Sequence, residues 1–496
     1  MGYSKKSVAS GTAFLRDIGL ASIAPMVTKL KGIVLIPVIS KWIGAEAFGV
    51  WNQFVISSGF IALFATIGTG PVINRFLAPM KQSEKYSSQF MAIAAVVLAA
   101  STVAAGLLML APGYTSRRIF GEDASLVPLY LLVGYLPVLA ISNRVVTFLK
   151  TRRRFDLVTP FTVTRDFGST ALIAVLVIGT GNVISAISGY VAWEVGALVV
   201  IFELARREAG LKLVCPDFSQ MRRYLAYGTP LVLVTVGERL AGIGDRYIIV
   251  SVLGIKEAGI YSVAYAAGSV GVLALKPLTQ VLLPDFSVLV DEEKRMEIKR
   301  RLASVTKYFV ASQAGAIVLL FFLSESVIKL FSTESFLEGA PVLELVPLGI
   351  AAFGLLQIGT QVLNAEESTR LVGSIWLGVG IVNIVANVIA VPLFGLVGGA
   401  LATAFSYGTG AMVCWWRVWR QYPIYPGLRP FVAIIVASFS TCGALFLITK
   451  SATLDPVLTL FLGGGIGGIA YLAGLLAGGF VTEGEQRLLL RTLGLR

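Results

Sequence analysis

The chain has 496 residues, of which 56% are hydrophobic and 14% charged, and its mean hydropathy is +0.81. Soluble globular domains carry about 25% charged residues, so this composition excludes a soluble globule and indicates a polytopic membrane protein. The formal net charge of +13 would suit a nucleic-acid partner, but the basic residues lie in short loops between apolar runs, and we expect no such partner.

Apolar runs long enough to cross a bilayer, which takes about 20 residues, recur along the whole chain. They predict an all-α fold of about fourteen transmembrane helices, at residues 17–41, 47–70, 88–111, 125–149, 160–180, 182–205, 227–251, 257–284, 304–330, 340–363, 371–391, 394–416, 429–449 and 456–480. We expect residues 1–205 to form a first six-helix lobe, 206–226 a cytoplasmic linker, and 227–420 a second six-helix lobe. Residues 421–496 then supply two additional helices and a C-terminal tail.

Basic residues are distributed unequally between the predicted loops. If the N-terminus is cytoplasmic, most of the 41 Lys and Arg residues fall on the cytoplasmic side, which under the positive-inside rule predicts cytoplasmic termini in a plasma (inner) membrane. The predicted outer loops are short, the longest being residues 112–124, and none could form a domain. The segment DEEKRMEIKRR at 291–301 predicts a solvated amphipathic helix on anionic lipid.

The sequence contains an internal repeat. ISKWIGAEAFGVW at 39–51 aligns with IVSVLGIKEAGIY at 249–261. The alignment pairs Gly44 with Gly254, Gly49 with Gly259, Trp51 with Tyr261, and Lys29 with Arg239. Two related halves with sites near the bilayer midplane are typical of transporters.

The predicted seventh helix carries four charged residues, Glu238, Arg239, Asp245 and Arg246. A charge at the bilayer centre costs at least about 2.5 to 3.5 kcal/mol, so these side chains need a wet cavity or a partner. The two arginines are seven residues apart and share one helix face, while the acids share the adjacent stripe. Interhelical ion pairs are the structural alternative to a binding site. Glu194, Glu238 and Asp245 are candidates for ion coupling or ion pairing.

Other cations lie within predicted spans. Lys29, Lys31 and Lys276 have no close acid in the same span, whereas Arg144 and Arg165 lie near a cytoplasmic end and could snorkel to the interface. If the unaccompanied cations face one cavity, that cavity would attract a phosphate or pyrophosphate.

Residues for catalysis are scarce. The chain has no histidine and three cysteines without metal-ligand spacing, and it lacks the GxxxxGK[ST] phosphate loop. We therefore expect no metal, no cofactor and no enzymatic activity, with energy supplied by an ion gradient or the membrane potential.

Several motifs carry a family resemblance: IGAEAFGVW and LGIKEAGIY, GTGPVINRFLA, FLKTRRRF, GDRYIIVSVLG, VLLPDF and FGLVGGALATAFSY. Through them the chain resembles the Wzx-type oligosaccharide (O-antigen or lipid-linked oligosaccharide) flippases of the multidrug/oligosaccharidyl-lipid/polysaccharide exporter superfamily. The resemblance implies two pseudo-twofold-related lobes around a central cavity. It also implies alternating access that carries a polyprenyl-(pyro)phosphate-linked glycan from the cytoplasmic to the outer leaflet.

The resemblance further implies that basic side chains of the first, second, seventh and eighth helices meet the lipid-linked phosphate. By position these are Lys29, Lys31, Arg75, Arg239, Arg246 and Lys276. The implied partners are the lipid-linked oligosaccharide, membrane lipids and glycan-assembly enzymes.

Two alternatives stay open. A multidrug or small-cation exporter of the same superfamily would need an acidic cavity, against which the unaccompanied lysines argue. A membrane-bound glycan polymerase or ligase would need a large outer loop.

Overall fold

The computed structural model describes residues 2–80, 83–122, 124–424, 427–451 and 455–481. Side chains are described from residue 31 onward, apart from those at positions 33, 83, 231, 233, 234, 273, 274, 276, 277, 280, 450 and 451. Throughout the described ranges the regular structure is helical, and they contain no β-strand. The all-α prediction is confirmed.

The α-helices, in chain order, are α1 Gly2–Ala65, α2 Thr69–Val72, α3 Ser83–Leu108, α4 Pro112–Phe120, α5 Val127–Thr151, α6 Phe155–Thr180, α7 Val183–Glu208, α8 Met221–Val252, α9 Ile255–Gly268, α10 Leu275–Asp291, α11 Arg295–Phe331, α12 Ala340–Ala365, α13 Thr369–Gln421, α14 Leu428–Ser451 and α15 Pro456–Ala477. A π-helical turn at Ile73–Leu77 and 3₁₀ turns at Ser269–Ala274 and Glu334–Gly339 lie between them.

Ten helices of the described part are long and apolar enough to cross a membrane, which supports a multi-pass membrane protein. Two of the longest helices each contain two predicted spans joined without a loop. The 64 residues of α1 bend at Gly44, where φ is 78°, and the 53 residues of α13 bend at Gly395, where φ is 59°. Glycine adopts positive φ without the steric penalty that other residues pay. The count of fourteen spans stays a prediction.

Three predicted segments differ from the structure. The outer segment 112–124 contains the nine-residue helix α4. The basic segment 291–301 forms no helix of its own: it is divided between the end of α10, a turn, and the start of α11. Ile298 within the segment and Leu302 directly after it are buried, so they extend the packed face of α11. The predicted eighth helix, 257–284, is interrupted by the 3₁₀ turn after Gly268, consistent with the low helix propensity of glycine.

The backbone supports the internal repeat. Gly44 and Gly254, which the alignment pairs, both have positive φ. Arg153 and Glu367 each have a φ of 58°, and they occupy the corresponding turns after α5 and α12. The two halves therefore repeat their turn geometry as well as their sequence.

The chain divides into two compact units. Unit 1 comprises Met1–Val236 with Gly254–Gly259, and unit 2 comprises Gly237–Leu253 with Ile260–Arg496. Within unit 1, the repeated motifs pack on each other through their glycines. A Cβ added to Gly49 would overlap the carbonyl oxygen of Ile255, and one added to Gly259 would overlap that of Ala45. Both positions therefore require glycine.

The segment between α7 and α8 is fixed to α3. The backbone N–H of Lys212 donates to Ser87 Oγ (3.1 Å), and Ser88 Oγ donates to the carbonyl of Cys215 (2.7 Å). Asp217 accepts hydrogen bonds from the backbone N–H of Ser219 (2.9 Å) and from Gln89. Hydrogen bonds from Ser219 hold the pKa of Asp217 below its ordinary value.

Candidate functional site

Four of the six predicted phosphate-binding cations have described side chains, and these four lie in different environments. The side chains of Lys29 and Lys276 lie outside the described residues. Lys31 and Arg75 belong to unit 1, whereas Arg239 and Arg246 belong to unit 2.

Lys31 is half-buried in unit 1 between α1, α6 and α7. Its ammonium donates a hydrogen bond to Ser169 Oγ (2.8 Å) and lies 4.9 Å from the centre of the Tyr190 ring. Tyr190 is in turn hydrogen-bonded to the hydroxyl of Tyr135 (3.1 Å). Lys31 also interacts electrostatically with Asp166 and Glu194. No acid lies close to Lys31 in its own predicted span, but the fold brings two from neighbouring helices.

Glu194 forms a buried ion pair beside Lys31. Arg165 Nε donates to both carboxylate oxygens of Glu194 (2.9 Å each), and its Nη2 donates to Oε2 (2.5 Å). The Glu194 side chain is 1% exposed and that of Arg165 is 16% exposed. Trp193 fixes the arginine backbone, because its indole N–H donates to the Arg165 carbonyl (3.0 Å). This bidentate pair uses both oxygens of the Glu194 carboxylate and joins α6 to α7.

A second cationic site lies where the chain bends between α1 and α3, at residues 66–80, which we call the 66–80 bend. Gly68 has a φ of 65°, and a Cβ there would overlap the backbone of Gly228. The bend is thus held against α8 by a contact that excludes a side chain. It then continues through α2 and the π-helical turn.

Arg144, from α5, contacts this bend. Its Nη1 donates to Thr69 Oγ1 (3.1 Å), and its Nε is buried without a hydrogen-bond partner among the described residues. A guanidinium has five N–H donors and stays protonated in proteins. The Thr69 hydroxyl is neutral, so it does not compensate the positive charge of Arg144. The Nε of Arg144 also remains free to donate a hydrogen bond to a ligand.

Arg75 lies in the same bend. Its guanidinium carbon is 5.7 Å from the centre of the Tyr227 ring. An open cavity of about 800 Å³ is lined there by Arg75, Tyr227, Asn74, Pro71, Ala78 and Pro79, and none of these lining residues is acidic. Arg223 adds a further cation nearby, 4.9 Å from the Phe76 ring. The 66–80 bend is therefore a site with basic and hydrogen-bonding groups, and the described residues that line it include no carboxylate.

Arg246, in unit 2, is held by its own neighbour. Its Nη1 donates to Asp245 Oδ1 (2.8 Å) and to the carbonyl of Gly242 (2.9 Å). Its guanidinium also lies over the rings of Tyr265 (4.3 Å) and Tyr261 (5.5 Å). Arg246 is 6% exposed and Asp245 is fully buried, so this pair is enclosed by protein.

The carboxylate of Asp245 is satisfied on both oxygens. Its Oδ2 accepts hydrogen bonds from the Tyr261 hydroxyl (2.6 Å) and from Thr403 Oγ1 (3.4 Å). Asn383, also buried, donates to Thr403 Oγ1 (3.3 Å) and Ser406 Oγ (3.1 Å). These contacts join α8, α9 and both arms of α13.

Arg239 and Glu238 lie in a different environment on the same helix. Both are exposed, in contrast to Asp245 and Arg246 two turns later. Sequence spacing put Arg239 and Arg246 on one face, but only the second is enclosed. Among the residues that the structure describes, no group of three His, Cys, Asp or Glu side chains could hold a metal ion.

Comparison with known families decides the assignment of the chain. Residues 14–290 match the family described as "Polysaccharide biosynthesis protein". The chain belongs to this family. The match covers more than half of the chain and confirms the resemblance carried by the sequence motifs.

Individual relatives are distant. "Uncharacterized membrane protein MJ1068" of Methanocaldococcus jannaschii is 21% identical over 292 residues, covering 53% of this chain and 54% of that protein, so the chain matches only about half the length of this relative. "Probable flippase AglR" of Haloferax volcanii is 24% identical over 424 residues, covering 84% of this chain and 85% of that protein.

A solved structure shares the fold. "Lipid II flippase MurJ, inward closed conformation" superimposes with a TM-score of 0.73 and 17% identity, covering 96% of this chain and 99% of that chain. At this identity the likeness establishes a common fold, and the substrate has to be argued from the site.

Proposed function

We propose that this protein is a flippase that moves a polyprenyl-(pyro)phosphate-linked oligosaccharide from the cytoplasmic to the outer leaflet by alternating access. Family membership and the similarity to a probable flippase support this proposal. The proposed setting is a plasma membrane with both chain termini cytoplasmic, and glycan-assembly enzymes as partners.

The observation that carries the proposal is the 66–80 bend. Arg75 lines an open cavity whose described lining residues include no acid, and Arg144 has a buried Nε that makes no hydrogen bond to any described residue. A pyrophosphate presents several anionic oxygens, and arginine binds such groups through charge-assisted, often bidentate hydrogen bonds. In this proposal the two arginines hold the phosphate while the lipid tail stays in the bilayer.

Polar groups beside these arginines suit the glycan. Asn74 and Tyr227 line the same cavity, and side-chain amides and phenol hydroxyls both donate and accept hydrogen bonds. Sugar hydroxyls need such partners once they leave water, because an unpaired buried hydroxyl costs about 1 to 3 kcal/mol. Exposed Arg239 and half-buried Lys31 are proposed as further cations met by the phosphate during transport, together with Lys29 and Lys276.

The buried ion pairs have a different proposed role. Arg165 with Glu194 and Arg246 with Asp245 are closed by short hydrogen bonds. We assign Glu194 and Asp245 to ion pairing that fixes helix positions, and we place Arg246 on the substrate path only if this pair opens. Energy for net transport is proposed to come from an ion gradient or the membrane potential.

The test is flipping of a fluorescent polyprenyl-pyrophosphate oligosaccharide in proteoliposomes, with outer-leaflet fluorescence destroyed by an impermeant reductant. We expect Arg75→Gln to slow flipping about tenfold or more, because the substitution removes one charge-assisted hydrogen bond to the phosphate. Arg118→Gln is the matched control, because Arg118 also lies over a tyrosine ring (5.3 Å from that of Tyr114) but on the predicted outer side.

Equal rates for the native chain and Arg75→Gln would remove the 66–80 bend from the substrate path. If the native chain moved no lipid-linked glycan under any imposed gradient but exported a cationic dye, the exporter alternative would replace the proposed function.

A further inference from the structure

A separate apolar groove lies in unit 2, on the side of α11 that packs against α14. It has a volume of about 500 Å³ and is lined by α11, α12, the end of α13 and the start of α14. The residues that characterise it are Lys307, Val310, Trp415, Trp419, Phe431 and Ile434. We call it the aromatic groove.

The walls of the aromatic groove suit a hydrocarbon chain. The indole N–H of Trp415 donates to the carbonyl of Leu355 (2.9 Å), so its polar atom is satisfied. Trp419 is 49% exposed and Phe431 is 58% exposed, which leaves large apolar surfaces uncovered by protein. In a membrane protein such surfaces are covered by lipid.

The lining also contains a lysine and two hydroxyl side chains, Ser304 and Thr306. Lys307 places its ammonium 4.6 Å from the Phe480 ring and 5.0 Å from the Tyr308 ring, and the described residues that line the groove include no acid. Thr306 Oγ1, also in the lining, is buried with no hydrogen-bond partner among the described residues. A cation and a hydroxyl donor on an otherwise apolar groove complement an anionic headgroup attached to a chain.

Position along the helices agrees with this chemistry. Lys307, Arg420 and Arg429 lie on the predicted cytoplasmic side, and Arg420 lies 3.9 Å from the Trp416 ring. Tryptophan and basic residues together are typical of the membrane–water interface. Anionic lipids are concentrated in the cytoplasmic leaflet, where nearby Lys and Arg side chains attract them.

We propose that the aromatic groove binds one anionic membrane phospholipid, with an acyl chain along Trp415, Trp419 and Phe431 and the headgroup phosphate at Lys307 and Thr306. This site lies wholly in unit 2 and does not depend on the proposed transport activity. It gives the additional C-terminal helix α14 a role as one wall of a lipid site.

The experiment is native mass spectrometry of the delipidated full chain with phosphatidylglycerol or phosphatidylcholine of the same acyl chains. We expect one phosphatidylglycerol to be retained at least fivefold more than phosphatidylcholine. Lys307→Gln should abolish this preference, and Ile434→Trp, which fills the groove but keeps the lysine, should abolish retention. Lys294→Gln is the control, because Lys294 is exposed and paired with Glu292.

Fluorescence locates the bound lipid independently of retention. Brominated phosphatidylglycerol should quench tryptophan emission, and Trp419→Phe should remove more of this quenching than Trp416→Phe, since Trp419 is a described lining residue of the groove and Trp416 is not. Equal retention of both lipids by the native chain would overturn the proposal. Displacement of phosphatidylglycerol by an equimolar polyprenyl phosphate would also overturn it, because the groove would then belong to the transported lipid. Unchanged preference in Lys307→Gln would also contradict it.

Discussion

Arg144 and Arg165 allow a test that separates binding from structure. Both are arginines of unit 1 on consecutive helices, but Arg165 is paired with buried Glu194, whereas Arg144 has a neutral hydroxyl partner and a buried Nε without one. We expect substitution by glutamine to have opposite consequences at the two positions.

The magnitudes follow from these contacts. Arg165→Gln leaves the Glu194 carboxylate buried and uncompensated, and breaking such a pair costs about 3 to 5 kcal/mol. Arg144→Gln loses one hydrogen bond from a charged donor but also removes an unsatisfied buried donor, and each of these opposing terms is about 1 to 3 kcal/mol. The stability of Arg144→Gln should therefore stay within about 1 kcal/mol of the native value.

The effects on flipping should run the other way. If Arg144 makes charge-assisted hydrogen bonds to the phosphate in the transported state, its loss removes about 1.5 to 3 kcal/mol, or about 10- to 150-fold in rate. Thermal unfolding in detergent and proteoliposome flipping, normalised to folded protein, measure the two quantities. A loss of 3 kcal/mol or more of stability in Arg144→Gln, with normal flipping per folded molecule, would refute the assignment of Arg144 to the substrate path.

Three further outcomes are expected. Gly259→Ala places a Cβ on the Ala45 carbonyl and should lower the free energy of unfolding by about 1 to 3 kcal/mol. Gly408→Ala is the control, because a Cβ there meets open space. Equal melting temperatures of the two variants would contradict the close contact between Gly259 and Ala45. Tyr261→Phe removes the 2.6 Å hydrogen bond to the Asp245 carboxylate and should cost about 1.5 to 3 kcal/mol, measured by thermal unfolding against Tyr114→Phe. Hydrogen bonds from Ser219 lower the pKa of Asp217. The Asp217 carboxylate therefore helps to hold residues 209–220 against α3 above the ordinary carboxyl pKa near 3.9, and this stabilisation is lost as the pH falls through the lower pKa of the folded state. Pepsin cleavage of this segment, divided at each pH by pepsin cleavage of a denatured reference protein, should rise below about pH 4 in the native chain and stay constant in Asp217→Asn.

Much of the architecture could be predicted from the sequence, because the bilayer imposes a length and an apolar composition on each span. The alignment of 39–51 with 249–261 also paired Gly44 with Gly254, and both residues have positive φ in the structure. The segment 291–301 was predicted wrongly as a separate helix, because its charges suggested a solvated element while buried Ile298 and Leu302 join it to α11.

The candidate site was less accessible to sequence reasoning. Asp166 stands next to Arg165 in the chain, but the hydrogen-bonded acid is Glu194, from another helix. Arg144 was interpreted as a snorkelling residue, and nothing in the sequence indicates that its partner would be Thr69, many positions away. Partners of intramembrane charges depend on helix rotation and packing, which hydrophobic runs do not determine.

The composition of unit 1 has a consequence for dividing the chain. Residues 221–236 and Gly254–Gly259 belong to the same compact unit as the first six spans, and Ile255 packs against Gly49. A genetic break in the segment 209–220 would therefore give an N-terminal fragment that lacks part of its own packing. We expect such fragments to accumulate only when co-expressed, through complementation, even though the break cuts no helix.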